Sequence, residues 1–362
     1  MQKLIYVVVG LLLCISCSND SNHSEENSIW YSNTYILDHG EKMFTDYEPD
    51  SVLYSDSARG YNIDAPLNYA LLDTTQFRLF NALPYDFKDV AVYCKIDTVE
   101  QEFMIAHFDL VPGQYCQVGK IAGIESPTTF TTIQGTELYM DAMKKMDPEH
   151  VTFRIICPDP LFEKISRIKQ STHVKFSRYG SGNWGVLSPR DARYYTTMFA
   201  NMGYLYSSKT FEDAFKNYEG ILHNNNGDPI DRDAVYLSMI NKPKLNLGVV
   251  TGSGIGGLGG GSAFGVRSEY IQKYCTLGNN WPLEVYAHEF SHTIGFGHSS
   301  NMTYGNSKGS LVNIVKQVYL EMHNKGDLPF IGDPFAVDTD PFLEKEPIQE
   351  ETDAYQLKNM KI

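Results

Sequence analysis

The stretch HEFSHTIGFGH, residues 288–298, sets three histidines at intervals of four and six, with a glutamate directly after the first and glycines between the second and third. The segment leading into it, NNWPLEVYAHEFSHTIG, reads as a helix: Asn280 or a neighbour caps it, Pro282 falls in its first turn and Gly295 stops it. On such a helix His288 and His292 stand one turn apart on the same face. Their Cβ atoms are then about 5–6 Å from each other, which lets two imidazoles converge on one ion. Glu289 is rotated round the helix from His288, within reach of a water on that ion without being a ligand. Gly295 accounts for the third interval. A continuing helix would carry His298 past the ion, whereas a residue free to take positive φ turns the chain back and returns His298 as the third nitrogen. Three neutral imidazoles leave one position open, and zinc in such a site lowers the pKa of its water to about 7. Glu289 is placed to accept that proton and deliver it to a leaving amine.

The pattern HExxHxxGxxH resembles the signature of the metzincin clan of zinc endopeptidases, and the resemblance continues in SSNMTYG, residues 299–305. Met302 fits the methionine that forms an apolar floor beneath the metal in that clan. Met302 and Tyr304, in M-x-Y-G order, look most like the astacin and serralysin branches, in which the tyrosine approaches the metal and helps stabilise the tetrahedral intermediate. Only three residues separate His298 from Met302, a short connection that departs from the clan and bears on Tyr304's role. The resemblance is strong over residues 288–304, extends over about 245–330 and is absent from the N-terminal half. It implies a zincin-like catalytic domain of α+β or α/β class that holds one catalytic Zn2+ on His288, His292 and His298. Glu289 and Tyr304 are its catalytic residues, and a peptide or protein is its substrate. In the clan an edge strand before the active-site helix pairs with substrate backbone, and GGLGGGSAFG, residues 256–265, occupies that place. SLVNIVKQVYLEMH, residues 310–323, reads as the helix that follows the methionine turn.

Gly254, Gly256 and Gly259 also form a GxGxxG after the strand KLNLGVV, residues 244–250. The following GGSAFGV reads as another strand, not as a helix opening on a pyrophosphate, and no GK[ST] follows, so a nucleotide site is rejected. Further upstream, SPRDARYYTTMFANMG, residues 188–203, reads as a helix capped by Ser188, opened by Pro189 and ended by Gly203. TFEDAFKNYEGIL and DRDAVYLSMINK read as two more. Between Gln76 and Ile156 the period is two: Val90, Val92, Cys94 and Ile96 share one face, EFMIAHFDLVPG closes a strand with Pro-Gly, and HVTFRIICPDP repeats the pattern. This predicts a β-rich, sandwich-like N-terminal domain over residues 31–165, a catalytic domain over 166–341 and a charged, Pro-broken tail over 342–362.

The 362 residues, 42% hydrophobic and 20% charged, suffice for cores in two domains. A net charge of -14 argues against nucleic acid as a partner, because phosphate binding needs clustered Lys and Arg. In MQKLIYVVVGLLLCISCSND, residues 1–20, one Lys precedes an apolar run from Leu4 to Ile15. The run is shorter than the ~20 apolar residues that span a bilayer, and Ser16 then precedes Cys17. It resembles a bacterial lipoprotein signal. That implies removal of residues 1–16, lipidation of Cys17, a polar tether over 17–30, and an exported protein anchored to a bacterial membrane at the outer membrane or cell surface.

Cys94, Cys116, Cys157 and Cys275 remain, and an oxidising compartment makes Cys94 with Cys116 the more local candidate pair. None belongs to a CxxC, so cysteine-ligated zinc is not supported. CPDP at Cys157 resembles the segment whose cysteine blocks zinc in matrix metallopeptidase precursors, but the family pattern around it is missing, and a buried thiol or a disulfide is the plainer reading. NNNGDPIDRD, residues 224–233, is rich in oxygen ligands, does not match an EF-hand and reads as a solvated turn. Taken together the residues predict a membrane-tethered zinc endopeptidase. Its rivals are a surface binding protein with a residual zinc site, against which an intact Glu289 argues, and a zinc-dependent hydrolase of a non-peptide amide.

Overall fold

The computed structural model describes residues 35–121, 127–140, 148–273, 281–304 and 310–335. The leader, Cys17 with its tether, Cys275, the helix cap at Asn280 and the tail 342–362 lie outside the described residues. Along the first half run β1 (Tyr35–Lys42), α1 (Asp50–Leu53), α2 (Asp56–Arg59), β2 (Tyr61–Asn62), β3 (Leu67–Leu71), β4 (Gln76–Asn81), β5 (Phe87–Ile96), β6 (Phe103–Val111), β7 (Tyr115–Ile121), β8 (Thr128–Thr132), β9 (Glu137–Met140) and β10 (Val151–Ile156). The second half contains α3 (Pro160–Ile165), β11 (His173–Phe176), β12 (Trp184–Gly185), α4 (Pro189–Ser207), α5 (Lys209–Lys216), α6 (Arg232–Ile240), β13 (Lys244–Val250), β14 (Gly257–Gly260), β15 (Ala263–Arg267), α7 (Ser268–Lys273), α8 (Trp281–Thr293) and α9 (Leu311–Asn324). No helix among the described residues is long and apolar enough to cross a membrane.

Alternation at period two shapes the first half. Val90, Val92 and Cys94 of β5 are fully buried while Lys88 and Asp89 are exposed, as expected of strands with one face on a core. The strands form two antiparallel sheets, in the orders β1-β7-β4-β3 and β10-β5-β6-β8-β9. Their apolar faces share one cluster: Phe77 and Leu79 of β4 belong with Val90 and Val92 of β5. Between the sheets, Tyr69 of β3 meets Phe153 of β10 edge-on with centroids 5.0 Å apart. The expected Cys94–Cys116 bridge is not formed. Both are free, buried thiols on strands of different sheets, where they pack as small apolar groups, and burial pushes the Cys94 thiol up to about 12.

The third sheet has the order β14-β15-β13-β11-β2, with β12 beside the end of β13. Strands β11, β13 and β15 run parallel, whereas β2, β12 and β14 are antiparallel to their neighbours. Parallel strands are covered on both faces and therefore read as continuous apolar runs. Leu245, Leu247, Val249 and Val250 of β13 are accordingly all buried. Helix α4 docks here through Tyr195, whose hydroxyl donates to the Gly248 carbonyl at 2.8 Å and accepts from the Val266 N–H at 3.2 Å. An aromatic layer joins α4, β15 and α8: Phe199 and Phe264 lie 5.7 and 5.2 Å from Tyr286, and Tyr206 stacks on Phe290 at 5.1 Å.

The six-stranded sheet takes one strand, β2, from the N-terminal half. That half is tied on further by Tyr54, whose hydroxyl donates to the Leu187 carbonyl at 2.8 Å, and by Arg193, which reaches the Phe44 carbonyl at 3.2 Å and Asp46 at 2.7 Å.

Ser188 caps α4 in a reciprocal box with Asp191, as the sequence predicts, but Gly203 does not end the helix, which runs on to Ser207. The glycine serves close packing instead. A Cβ on it would lie 2.5 Å from Cγ2 of Ile63 and 3.1 Å from Cγ2 of Ile168, both on buried side chains. In an open helix Gly→Ala gains about 1 kcal/mol, whereas overpacking a full core costs about 1–3 kcal/mol. Gly203→Ala is therefore expected to destabilise the chain by about 1 kcal/mol in denaturant titration. A stabilised variant would show that the Ile63 contact yields freely.

Candidate metal centre

Helix α8 carries apolar residues on most of its circumference; Leu283, Val285, Tyr286, Ala287 and Phe290 are buried. It is a central helix, flanked by β14, β15 and α9, with Glu284 paired to Lys316 of α9. Its C-terminus closes as a Schellman turn. The Phe296 N–H donates to the Ser291 carbonyl at 3.1 Å and the Gly295 N–H to the His292 carbonyl at 3.2 Å, with Gly295 at φ +99. This is the left-handed turn that the spacing of the third histidine requires. Lys242 secures the same end by donating to the Thr293 carbonyl at 2.6 Å and to the Gly261 carbonyl at 2.7 Å, a cation on the negative pole of the helix.

The turn brings the three histidines together. Nε2 of His292 lies 3.1 Å from Nε2 of His288 and 3.0 Å from Nε2 of His298. A carbonyl oxygen can only accept, so the contacts of Nδ1 fix the tautomers: Nδ1–H of His288 donates to the Thr303 carbonyl at 2.5 Å, and Nδ1–H of His292 to the Phe296 carbonyl at 2.6 Å. Both Nε2 atoms are then bare lone pairs facing one another at contact distance. Burial holds the imidazoles neutral, His288 down to about 4 and His292 below its usual range. Converging lone pairs at this spacing repel unless a cation lies among them, and three converging imidazole nitrogens, two of them of fixed tautomer, are the donor set that zinc takes. The residues present therefore fit the ion.

The segment after His298 folds against the same helix. Ser291, between the two helical histidines, donates through Oγ to the Ala287 and Met302 carbonyls, each at 2.8 Å. Met302 is fully buried, and Thr303 donates to the Gly297 and Ser300 carbonyls at 3.1 and 2.9 Å. The short connection from His298 to Met302 does not carry Tyr304 away. Its ring lies 4.8 Å from that of His288 and 5.0 Å from that of His298.

Glu289 is 6% exposed, and burial pushes its carboxyl up to about 8, an effect that a nearby cation opposes. The edge strand β14 presses on it. A Cβ on Gly257 would lie 2.7 Å from Oε1 of Glu289, and one on Gly259 would lie 2.2 Å from the Glu289 carbonyl oxygen. The glycines of the GGLGGG run thus let an extended strand pass directly over the carboxylate.

Sequence reading missed the residues that hold the third-histidine turn from outside. The stretch 224–233, expected to be a solvated turn, supplies Asn225, whose Nδ2 donates to the Gly295 carbonyl at 3.1 Å and whose Oδ1 accepts from the Gly297 N–H at 2.6 Å. His223 takes part too: its N–H donates to Asn301 at 2.9 Å and its carbonyl accepts from Ser300 at 2.6 Å. These contacts span 70 to 78 residues of sequence, and the only signal for them was a run of asparagines with no ion to bind.

Comparison with protein-family models, with curated proteins and with solved structures finds no match for this chain.

Two other features lie apart from the histidines. Cys157 is a buried thiol that donates to the Lys88 carbonyl at 3.2 Å, where β10 ends beside β5. Asp89, His107 and Asp109 form a second group with ligand atoms in mutual reach, but both carboxylates are exposed.

The two glycines facing Glu289 predict different outcomes. At Gly259 an added methyl meets helix backbone, which cannot yield, so Gly259→Ala should cost about 1–3 kcal/mol and lower the melting temperature. At Gly257 the methyl would lie 2.4 Å from Cγ of Glu289 and against its carboxyl, side-chain atoms that can shift, so Gly257→Ala should displace Glu289 and cost less stability than Gly259→Ala. Equal melting of the Gly259 variant and the parent would contradict the close approach.

Proposed function

We propose that the chain is an exported zinc endopeptidase of metzincin type, with a zincin-like catalytic half preceded by a β-rich N-terminal half. The observation that carries this reading is the convergence of three Nε2 atoms, two with their tautomer set by a backbone carbonyl, beside a buried glutamate that is not one of the three. His288, His292 and His298 would hold the zinc. When bound, zinc supplies Lewis acidity, which brings the ionisation of water into the neutral range and polarises the carbonyl under attack.

The chain's own groups do the rest. Glu289 accepts the proton of the attacking water at a carboxylate oxygen and hands it to the nitrogen of the leaving amine as the C–N bond breaks. Tyr304, in ring contact with His288 and His298, is assigned to the oxyanion: a phenol there donates to the carbonyl oxygen as it gains negative charge. The outermost strand β14 favours a peptide over a small amide. An extended substrate pairing with the edge of β14 that no described strand occupies would run past Glu289, against which Gly257 and Gly259 already lie. A parallel core of β11, β13 and β15 ending in an antiparallel outer strand ahead of the motif helix supports the zincin-like assignment.

Glu289→Ala leaves all three imidazoles, so it should retain zinc while peptide cleavage falls by at least about 10²-fold, the lower bound for a positioned acid-base group. His292→Ala should lose most of its zinc by elemental analysis. Unchanged cleavage by Glu289→Ala would assign the proteolysis to another protein. The anchor is proposed from Ser16-Cys17 behind a short apolar run. Cys17→Ser should move the chain from the membrane to the soluble fraction or leave the leader uncleaved, and an unchanged distribution with normal cleavage would show that Cys17 carries no lipid.

A further inference from the structure

The first two histidines are held in register by their own helix and by backbone carbonyls, but His298 lies six residues beyond His292 on an exposed turn. What fixes that turn comes from the segment between α5 and α6. Asn225 brackets it: the side-chain amide donates to the Gly295 carbonyl and accepts from the Gly297 N–H, and the main-chain carbonyl accepts from Oγ of Ser299 at 2.9 Å. Residues immediately before and after His298 are thus tied to a single asparagine.

The asparagine is itself held. Arg232, at the start of α6, donates to the carbonyls of Lys216, Tyr218 and Gly220 at 2.8, 2.6 and 2.6 Å, which fastens the segment leading into residues 221–225. Asn301 adds a second tie by donating to the Ile221 carbonyl at 2.8 Å. Within the segment, Oδ1 of Asn224 accepts from the Asn226 and Asp228 N–H groups at 2.8 and 3.1 Å, and Gly227 turns the chain at φ +89. The result is a braced loop that presents one amide to the histidine turn.

We propose that Asn225 is a positioning residue for the metal centre, holding the turn of residues 295–299 so that Nε2 of His298 stands ready beside His292. This rests on reading the three histidines as metal ligands and adds to it a group that touches neither metal nor substrate. Asn225 is exposed, so replacing it leaves the core untouched. What is lost is the preorganisation of one ligand, and groups that orient a metal ligand typically contribute about 10–100-fold in metal affinity.

The test is zinc affinity of the full chain, measured by competition with a chromophoric chelator, in a double-mutant cycle with His298. Asn225→Ala should weaken zinc binding by about 10–100-fold. Asn225→Asp keeps the acceptor for the Gly297 N–H and loses the donor to the Gly295 carbonyl, so it should fall between parent and alanine. In a His298→Ala background nothing remains to be positioned, and adding Asn225→Ala should change affinity by less than about threefold, whereas general destabilisation would weaken both backgrounds alike. Equal weakening in both backgrounds, or zinc held as tightly by Asn225→Ala as by the parent, overturns this inference alone. A parent chain that takes up no zinc overturns the metal-centre reading and this inference with it.

Discussion

Two backbone carbonyls, those of Thr303 and Phe296, set the arrangement of the candidate metal centre. Each accepts the Nδ1 proton of one histidine, which leaves the opposite nitrogen of that ring bare and aimed at its neighbour. In an ordinary core two lone pairs would not be held at about 3 Å, because nothing offsets the repulsion or the lost hydration. Here the backbone enforces it from both sides. The Phe296 carbonyl is in place because the Schellman turn at Gly295 folds the chain back over the helix end. The Thr303 carbonyl is in place because Ser291 of the helix fastens the turn of residues 300–303 through the Met302 carbonyl. A helix terminus and a loop thus become the outer shell of a candidate ion site.

The rest of the fold gives that helix a rigid seat. Strands β11, β13 and β15, α4 and the aromatic layer of Phe199, Phe264, Tyr286 and Tyr206 hold α8 in the interior. Part of the brace comes from the N-terminal half, whose β2 pairs with β11 of the same sheet. Arg59 is 2% exposed and bonds to Glu48, itself 3% exposed, and to Glu41 of β1. Removing one partner of such a buried pair strands a charge at a cost of about 3–5 kcal/mol.

Much of this was legible in the sequence where the signal was local. The spacing of the histidines, the positive φ at Gly295, the cap at Ser188, the alternation in β5 and the strand after the GxGxxG all follow from one or two turns of chain, and the described structure agrees with each. Readings that depended on distant partners went differently. Gly203 carried a stop signal by composition, yet Ile63 and Ile168 make it a packing glycine inside α4. Cys94 and Cys116 were close in sequence and in separate sheets. Asn225 looked like solvated turn because its partners, at residues 295–299, are brought to it only by the folded chain.

The glycine-rich strand β14 has a consequence beyond the site. An outermost strand offers unpaired N–H and C=O groups to any extended chain, including another copy of itself, and long flat edges of this kind seed fibrils. β14 is four residues long, and Gly261 bends the chain at φ +55 directly after it. A guest strand can therefore gain only a few hydrogen bonds before the edge ends. That brevity denies identical molecules the long register they would need to stack without limit.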